Sequence, residues 1–181
     1  MPLAVAGRLA KLAAMTLLPA LVLPLPDAEA TARLGQTLAP MLRPGDVLLL
    51  EGPIGAGKTH FARALIQTRQ AAAGVPREDV PSPSFTLIQT YQAGDAEIWH
   101  ADLFRLSAPE ETDELGLTDA FDAAICLVEW PERLGHDAPT NALHLRFAYA
   151  GEGRTVVLAA QGARWAPVLG ALGQRFAQGA G

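Results

Sequence analysis

The stretch Gly45-Asp-Val-Leu-Leu-Leu-Glu-Gly-Pro-Ile-Gly-Ala-Gly-Lys-Thr-His60 constrains this chain more than any other. Val47 to Leu50 is a short continuous apolar run, the pattern of a strand buried on both faces. Gly52 to Thr59 fits G-x-x-x-x-G-K-[ST] without a mismatch. Phe61 to Thr68 reads as a helix with Phe61, Ala64, Leu65 and Thr68 on one face. Strand, glycine loop and helix in that order is the setting a phosphate-binding loop requires. Gly52, Gly55 and Gly57 let the backbone bend so that successive N–H groups converge on phosphate oxygens, where a side chain would obstruct the approach. The helix N-terminus adds partial positive charge. Lys58 reaches the terminal phosphates, and the Thr59 hydroxyl is a ligand for Mg2+. A chance glycine loop would not bring both flanking elements with it.

Only Lys11 and Lys58 of the fourteen basic residues are lysines, so the chain uses a compact ammonium where the loop needs one and Arg almost everywhere else. At 181 residues, half of them hydrophobic, the chain is long enough for one domain with a sizeable core. Its single cysteine, Cys126, lies in an apolar run and reads as core, so no disulfide framework or thiolate cluster forms within the chain. The net charge is -5, and between Asp95 and Asp137 twelve acids face only Arg105 and Arg133. That surface repels nucleic acid. It is a solvated face or a dock for a basic protein.

Residues 1–24 read as an extension outside the domain, disordered or the product of a mis-assigned start with the true start at Met15. Arg8 and Lys11 ahead of an apolar stretch resemble a weak export signal, but Pro19 and Pro24 interrupt it and it is too short for a membrane span. Asp27 caps a helix to about Ala39. Residues 85–91 and 96–104 form an antiparallel hairpin, with a capping box at Ser107-Ala-Pro-Glu110. Ile125 to Val128 is a second buried strand. Ala142–Tyr149 and Arg154–Ala160 make another hairpin. A last helix runs from about Trp165 to Phe176 with Trp165, Val168, Leu169, Leu172 and Phe176 inward. The expected fold is a three-layer α/β P-loop domain over residues 25–181, with Val47–Leu50 and Ile125–Val128 as central parallel strands in a mixed sheet widened by the hairpins.

A phosphate loop needs an acid for Mg2+, usually at the end of a neighbouring buried strand. Glu129 and Asp102 both fit, to hold the ion directly or through water, or to orient the attacking water. An acid within an apolar run is costly without a partner, which favours Glu129. Ser82 and Ser84 lie in a Pro-rich loop where a hydroxyl can sense a γ-phosphate. His100 reads as a packed or surface histidine. Trp130 is core or an aromatic gate beside the nucleotide.

Together these segments resemble the TsaE (YjeE) family of small ATPases in tRNA threonylcarbamoyladenosine biosynthesis. The matching segments are Leu25-Pro-Asp27, Gly55-Ala-Gly-Lys-Thr59, Ser82-Pro-Ser-Phe-Thr-Leu87, His100-Ala-Asp-Leu-Phe-Arg-Leu106, Glu114-Leu-Gly-Leu117 and Ile125-Cys-Leu-Val-Glu-Trp-Pro131. The resemblance implies a cytoplasmic protein that binds ATP or ADP with Mg2+ and hydrolyses ATP weakly alone. It implies association with the TsaB–TsaD complex, which itself transfers the threonylcarbamoyl group to adenosine 37 of tRNA, so that tRNA is met only through that complex. Carried over, Ile54, Gly55, Ala56, Gly57, Lys58 and Thr59 bind the nucleotide, Thr59 and Glu129 hold Mg2+, and Lys58, Asp102 and Glu129 support hydrolysis. Trp130, Ala28 and Gly151 lie near the nucleotide. Two departures stand out: His60 replaces a hydroxyl residue, and Ser84 replaces a threonine. A small-molecule kinase and a nucleotide-gated adaptor are the competing functions, the first weakened by the lack of an Arg-rich lid after the central strands.

Overall fold

The structure, a computed structural model, describes residues 20–107 and 111–178. Among the described residues seven strands form one sheet: β1 (Leu21–Leu25), β2 (Val47–Glu51), β3 (Ile88–Ala93), β4 (Ala96–Asp102), β5 (Ile125–Glu129), β6 (Leu143–Ala150) and β7 (Gly153–Ala160). Their spatial order is β1-β7-β6-β2-β5-β4-β3. β2 lies parallel to both β5 and β6, and β5 parallel to β4. β3, β7 and β1 add antiparallel edges. The expected parallel centre and mixed margins are therefore present. The described helices are α1 (Ala28–Leu38), α2 (Lys58–Ala72), α3 (Glu111–Glu114), α4 (Leu117–Ala123) and α5 (Ala166–Gln178), with a short 3-10 segment at Pro131–Asp137. Among the described residues no helix is long and apolar enough to cross a membrane.

Strand alternation sorts the core into two layers. Leu48, Leu50, Ile98, Ile125 and Leu127 face one side, where Leu34 of α1, Phe61 and Leu65 of α2 and Leu172 of α5 cover them. Val47, Leu49, Ala101, Cys126 and Val128 face the other, against Leu117, Phe121 and Leu134. Burial pushes the Cys126 thiol up to about 12, with Glu97 adding to it, as befits a packed and unreactive side chain. Asp27 caps α1 as expected, its Oδ1 accepting from the Ala30 N–H at 2.7 Å.

Three expectations need correction, and a fourth falls mostly outside the described residues. Residues 21–24, placed in the extension, belong to β1, whose Leu23 and Leu25 point into the core while Val22 points out. Pro24 is tolerated because β1 is an edge strand, where a missing N–H costs little; residues 1–19 lie outside the described residues. The buried face of α2 is Phe61, Ala62, Leu65 and Ile66, with Ala64 and Thr68 only half-buried, because the helix is wedged between the sheet and α1 and covers two adjacent rows. The first hairpin begins at Ile88, not Phe85: Leu87 takes a left-handed φ of 65° and its N–H bonds to the Pro83 carbonyl at 2.7 Å, making 83–87 a turn. The capping box at Ser107–Glu110 falls mostly on residues outside the described ones, and the Ser107 N–H donates to Glu111 Oε1. The last helix matches its expected face: Trp165, Val168, Leu169 and Leu172 are buried and Phe176 packs partly against them.

Candidate nucleotide site

The parallel strands all end on one side of the sheet, and the loops leaving them build a cleft of about 670 Å3. β2 delivers the glycine loop, α2 delivers Lys58 and Thr59, β5 ends on Glu129 and β4 on Asp102. The register pairs Asp102 with Glu129 directly. Thr59 Oγ1 donates to Glu129 Oε1 at 2.8 Å. Lys58 is 5% exposed and donates to the Gly52 and Pro53 carbonyls at 2.7 and 3.0 Å, while its ammonium lies 4.4 Å from the centre of the Trp130 ring. Burial draws the Lys58 pKa below its ordinary 10.5, against Glu129, Asp102 and Glu132, which raise it. Among the described residues no carboxylate bonds to Lys58 directly, and a phosphate here would supply such a partner.

Asp102 is fully engaged. Its Oδ2 accepts from Ser82 Oγ at 2.9 Å and Ser84 Oγ at 3.0 Å, and its Oδ1 accepts from the Phe104 N–H at 3.1 Å. The Pro-rich loop is thus fastened to the β4 acid. Arg63 fastens the same loop from below, donating through Nε to the carbonyl of the buried Val80 at 2.9 Å. Trp130 adopts a left-handed φ of 59° immediately after β5, which turns its ring over Lys58 and against Phe104.

Packing gives Gly52 a reason of its own. Gly52 has a φ of 136°, and a Cβ there would lie 2.5 Å from the Phe147 carbonyl of β6. Close packing of the loop on its neighbouring strand demands glycine at that position. The hairpin between β6 and β7 then grips the loop: Tyr149 Oη donates to the Ile54 carbonyl at 2.6 Å, and Arg154 Nη2 to the Gly55 carbonyl at 3.2 Å.

A smaller cleft of about 300 Å3 lies on the other side of the loop, lined by Ala28, Ala56, His60, Glu152 and Arg154 among others. Ile54, Gly55, Gly57, Lys58, Thr59, Ser82, Ser84, Asp102, Glu129 and Trp130 line the larger cleft, and Ala28 and Ala56 the smaller. Gly151 lines neither; it is the hairpin tip, and its neighbours Glu152 to Arg154 make the approach. His60 links the clefts, with Nε2 3.0 Å from the Ala28 carbonyl. Sequence reasoning missed Arg63, Phe104, Tyr149, Arg154 and the contact of His100 with Glu129. Only the diagonal adjacency of β4 and β5 could have pointed to the last.

A family model described as "Threonylcarbamoyl adenosine biosynthesis protein TsaE" matches residues 25–156, the segment that carries the glycine loop, both strand-end acids and most of the gripping hairpin. The chain belongs to the TsaE family. It is 42% identical over 108 residues to the tRNA threonylcarbamoyladenosine biosynthesis protein TsaE of Rickettsia conorii, covering 60% of this chain and 59% of that protein. The TsaE protein of Bacillus subtilis is 34% identical over 139 residues, 76% of this chain and 84% of its own length. That of Haemophilus influenzae is 32% identical over 144 residues, covering 76% and 87%. The crystal structure of Bacillus subtilis YdiB superposes with a TM-score of 0.68 at 27% identity, over 92% of this chain and 99% of that one. The TsaE fold thus extends well beyond the loop motif itself.

Proposed function

We propose that this chain is an Mg2+-dependent ATP-binding and ATP-hydrolysing protein of the cytoplasm. In this reading it supports the TsaB–TsaD complex in threonylcarbamoylation of adenosine 37 of tRNA, meets tRNA only through that complex, and does not itself transfer the group. The observation that carries the reading is the meeting of Thr59 and Glu129 beside Lys58 at a glycine loop, in a member of the TsaE family.

The donor set fits Mg2+. Because Thr59 Oγ1 gives its proton to Glu129, the hydroxyl keeps its lone pairs for a cation. Among the described residues no group of three or more His, Cys, Asp or Glu could cage a metal. One carboxylate and one hydroxyl beside a phosphate cradle suit an ion that binds through few protein ligands, substrate phosphates and water. When bound, Mg2+ supplies positive charge to the β- and γ-phosphate oxygens.

The chain's residues divide the remaining work. The N–H groups of Gly55 to Thr59 orient the phosphates, and Lys58 exchanges the Gly52 and Pro53 carbonyls for phosphate oxygens. Asp102 orients the attacking water once Ser82 and Ser84 release its Oδ2 toward the γ-phosphate. Trp130 and Phe104 shield the Lys58 side of the cleft from water.

The test is tRNA threonylcarbamoylation by TsaB–TsaD over many turnovers, with ATP and with the threonylcarbamoyl adenylate supplied. Product beyond one per complex that depends on this protein, and is lost with Lys58→Ala, is the expected result. Unchanged turnover without the protein, or full support from Lys58→Ala, overturns the proposal and directs attention to a phosphate acceptor.

A further inference from the structure

His100 is completely buried, and its Nδ1 is, among the described residues, the one buried side-chain nitrogen or oxygen without a hydrogen-bond partner. An apolar side chain would fill this place in the sheet at less cost, since a buried polar atom left unpaired is destabilising. What the ring does make is one bond: Nε2 lies 3.0 Å from Glu129 Oε1. The carboxylate oxygen accepts, so Nε2 carries the proton and donates it. The same oxygen also accepts from Thr59 Oγ1. Two donors, one from β4 and one from α2, thereby converge on Oε1 from different elements and fix the rotation of the carboxylate. Among the described residues Oε2 has no donor, and Glu129 lines the cleft.

We infer that His100 is a positioning residue for the cation site: it clamps Glu129 through Oε1 so that Oε2 stays directed at the cleft for Mg2+ or its water. The inference rests on the proposed reading of this site as one for a Mg2+–nucleotide. It follows the general rule that groups hydrogen-bonded behind a metal ligand set its orientation, and that losing one costs about 10- to 100-fold in metal affinity.

The experiment measures ADP affinity by equilibrium binding, first in EDTA and then across a MgCl2 titration, for the wild type, His100→Leu and His100→Gln. In His100→Leu the Mg2+ concentration giving half the gain in ADP affinity rises about tenfold or more, while affinity in EDTA stays within about twofold. His100→Gln, whose amide nitrogen can take the place of Nε2, restores the wild-type titration. An unchanged Mg2+ requirement in His100→Leu overturns the inference. So does an equal loss of affinity in EDTA, which would mark a packing role, and so does failure of Gln to restore. Should His100→Leu not fold, His100→Asn replaces it, because its amide is too short to reach Oε1 and must behave as the loss. If ADP affinity in the wild type does not depend on Mg2+ at all, the proposed function fails and the inference with it; a normal wild-type dependence with an unaffected His100→Leu sinks the inference alone.

Discussion

Thr59 Oγ1 and Glu129 Oε1 lie 2.8 Å apart, although 70 positions of sequence separate them. The parallel pairing of β2 and β5 produces this contact. It aligns Leu50 with Glu129, so the helix that begins after the β2 loop starts directly beside the end of β5. Strand-end acid and helix-start hydroxyl meet because both belong to the same rim of a parallel sheet, where α/β folds place their ligands.

Glu129→Gln preserves the shape of this pair and removes its charge. ATP hydrolysis in Mg2+ is expected to fall roughly 10- to 100-fold, the equivalent of losing a contact to a charged group worth about 1.5–3 kcal/mol. ADP binding in EDTA should be nearly unaffected, since Lys58 and the loop N–H groups do not need the acid. Phosphate release and equilibrium binding, read side by side, check both halves. Wild-type hydrolysis in this variant would remove Glu129 from the chemistry.

Glu51, one residue before the loop, gives the fold an acid sensitivity. Burial alone raises its pKa, but hydrogen bonds from His144 (2.9 Å) and Arg146 (2.9 Å) outweigh it and hold the carboxyl below its ordinary 4.5. A carboxyl with a folded-state pKa below its unfolded one stabilises the fold above the unfolded value. That contribution is lost as pH falls through the folded value. Wild type should therefore lose stability more steeply than Glu51→Gln as pH falls below 4.5. Urea unfolding at neutral pH and at a series of acidic values measures the difference; parallel pH profiles for the two proteins would contradict it.

Much of this was legible because the sequence carried its own local reasons. The apolar runs of β2 and β5, the cap at Asp27 and the loop glycines each specify a conformation within a few residues. The contacts that complete the site are of another kind. His100 on Glu129 depends on which strands are neighbours, and Arg63 on Val80 and Ser82 and Ser84 on Asp102 depend on how the connecting loop lies against the helix and β4; no local pattern encodes either. β1 was misjudged for a related reason. Pro24 reads as a breaker until the strand is known to lie at an edge, with a partner strand on one side only. Gly52 was read correctly as an obligatory glycine, though the nearest obstacle to a side chain is a strand carbonyl from β6.

The grip of the β6–β7 hairpin on the loop makes a separate prediction. The carbonyls of Gly52 and Pro53 are occupied by Lys58, and those of Ile54 and Gly55 by Tyr149 and Arg154. Four successive carbonyls are thereby tied down within the chain. In the proposed reading a nucleotide draws Lys58 away, and Tyr149 and Arg154 then keep the second pair of carbonyls fixed. Tyr149→Phe deletes only the hydroxyl and leaves the ring beneath the Arg154 guanidinium, 4.4 Å away. Losing a bond of this type costs about 0.5–1.5 kcal/mol, so ADP affinity should weaken roughly 2- to 12-fold. Tyr149 is 54% exposed, so global stability should change by less than about 0.5 kcal/mol. ADP binding and urea unfolding of the same preparation separate the two effects. Unaltered affinity would mean the loop holds its shape without the hairpin, whereas matched losses of affinity and stability would reduce Tyr149 to a packing residue.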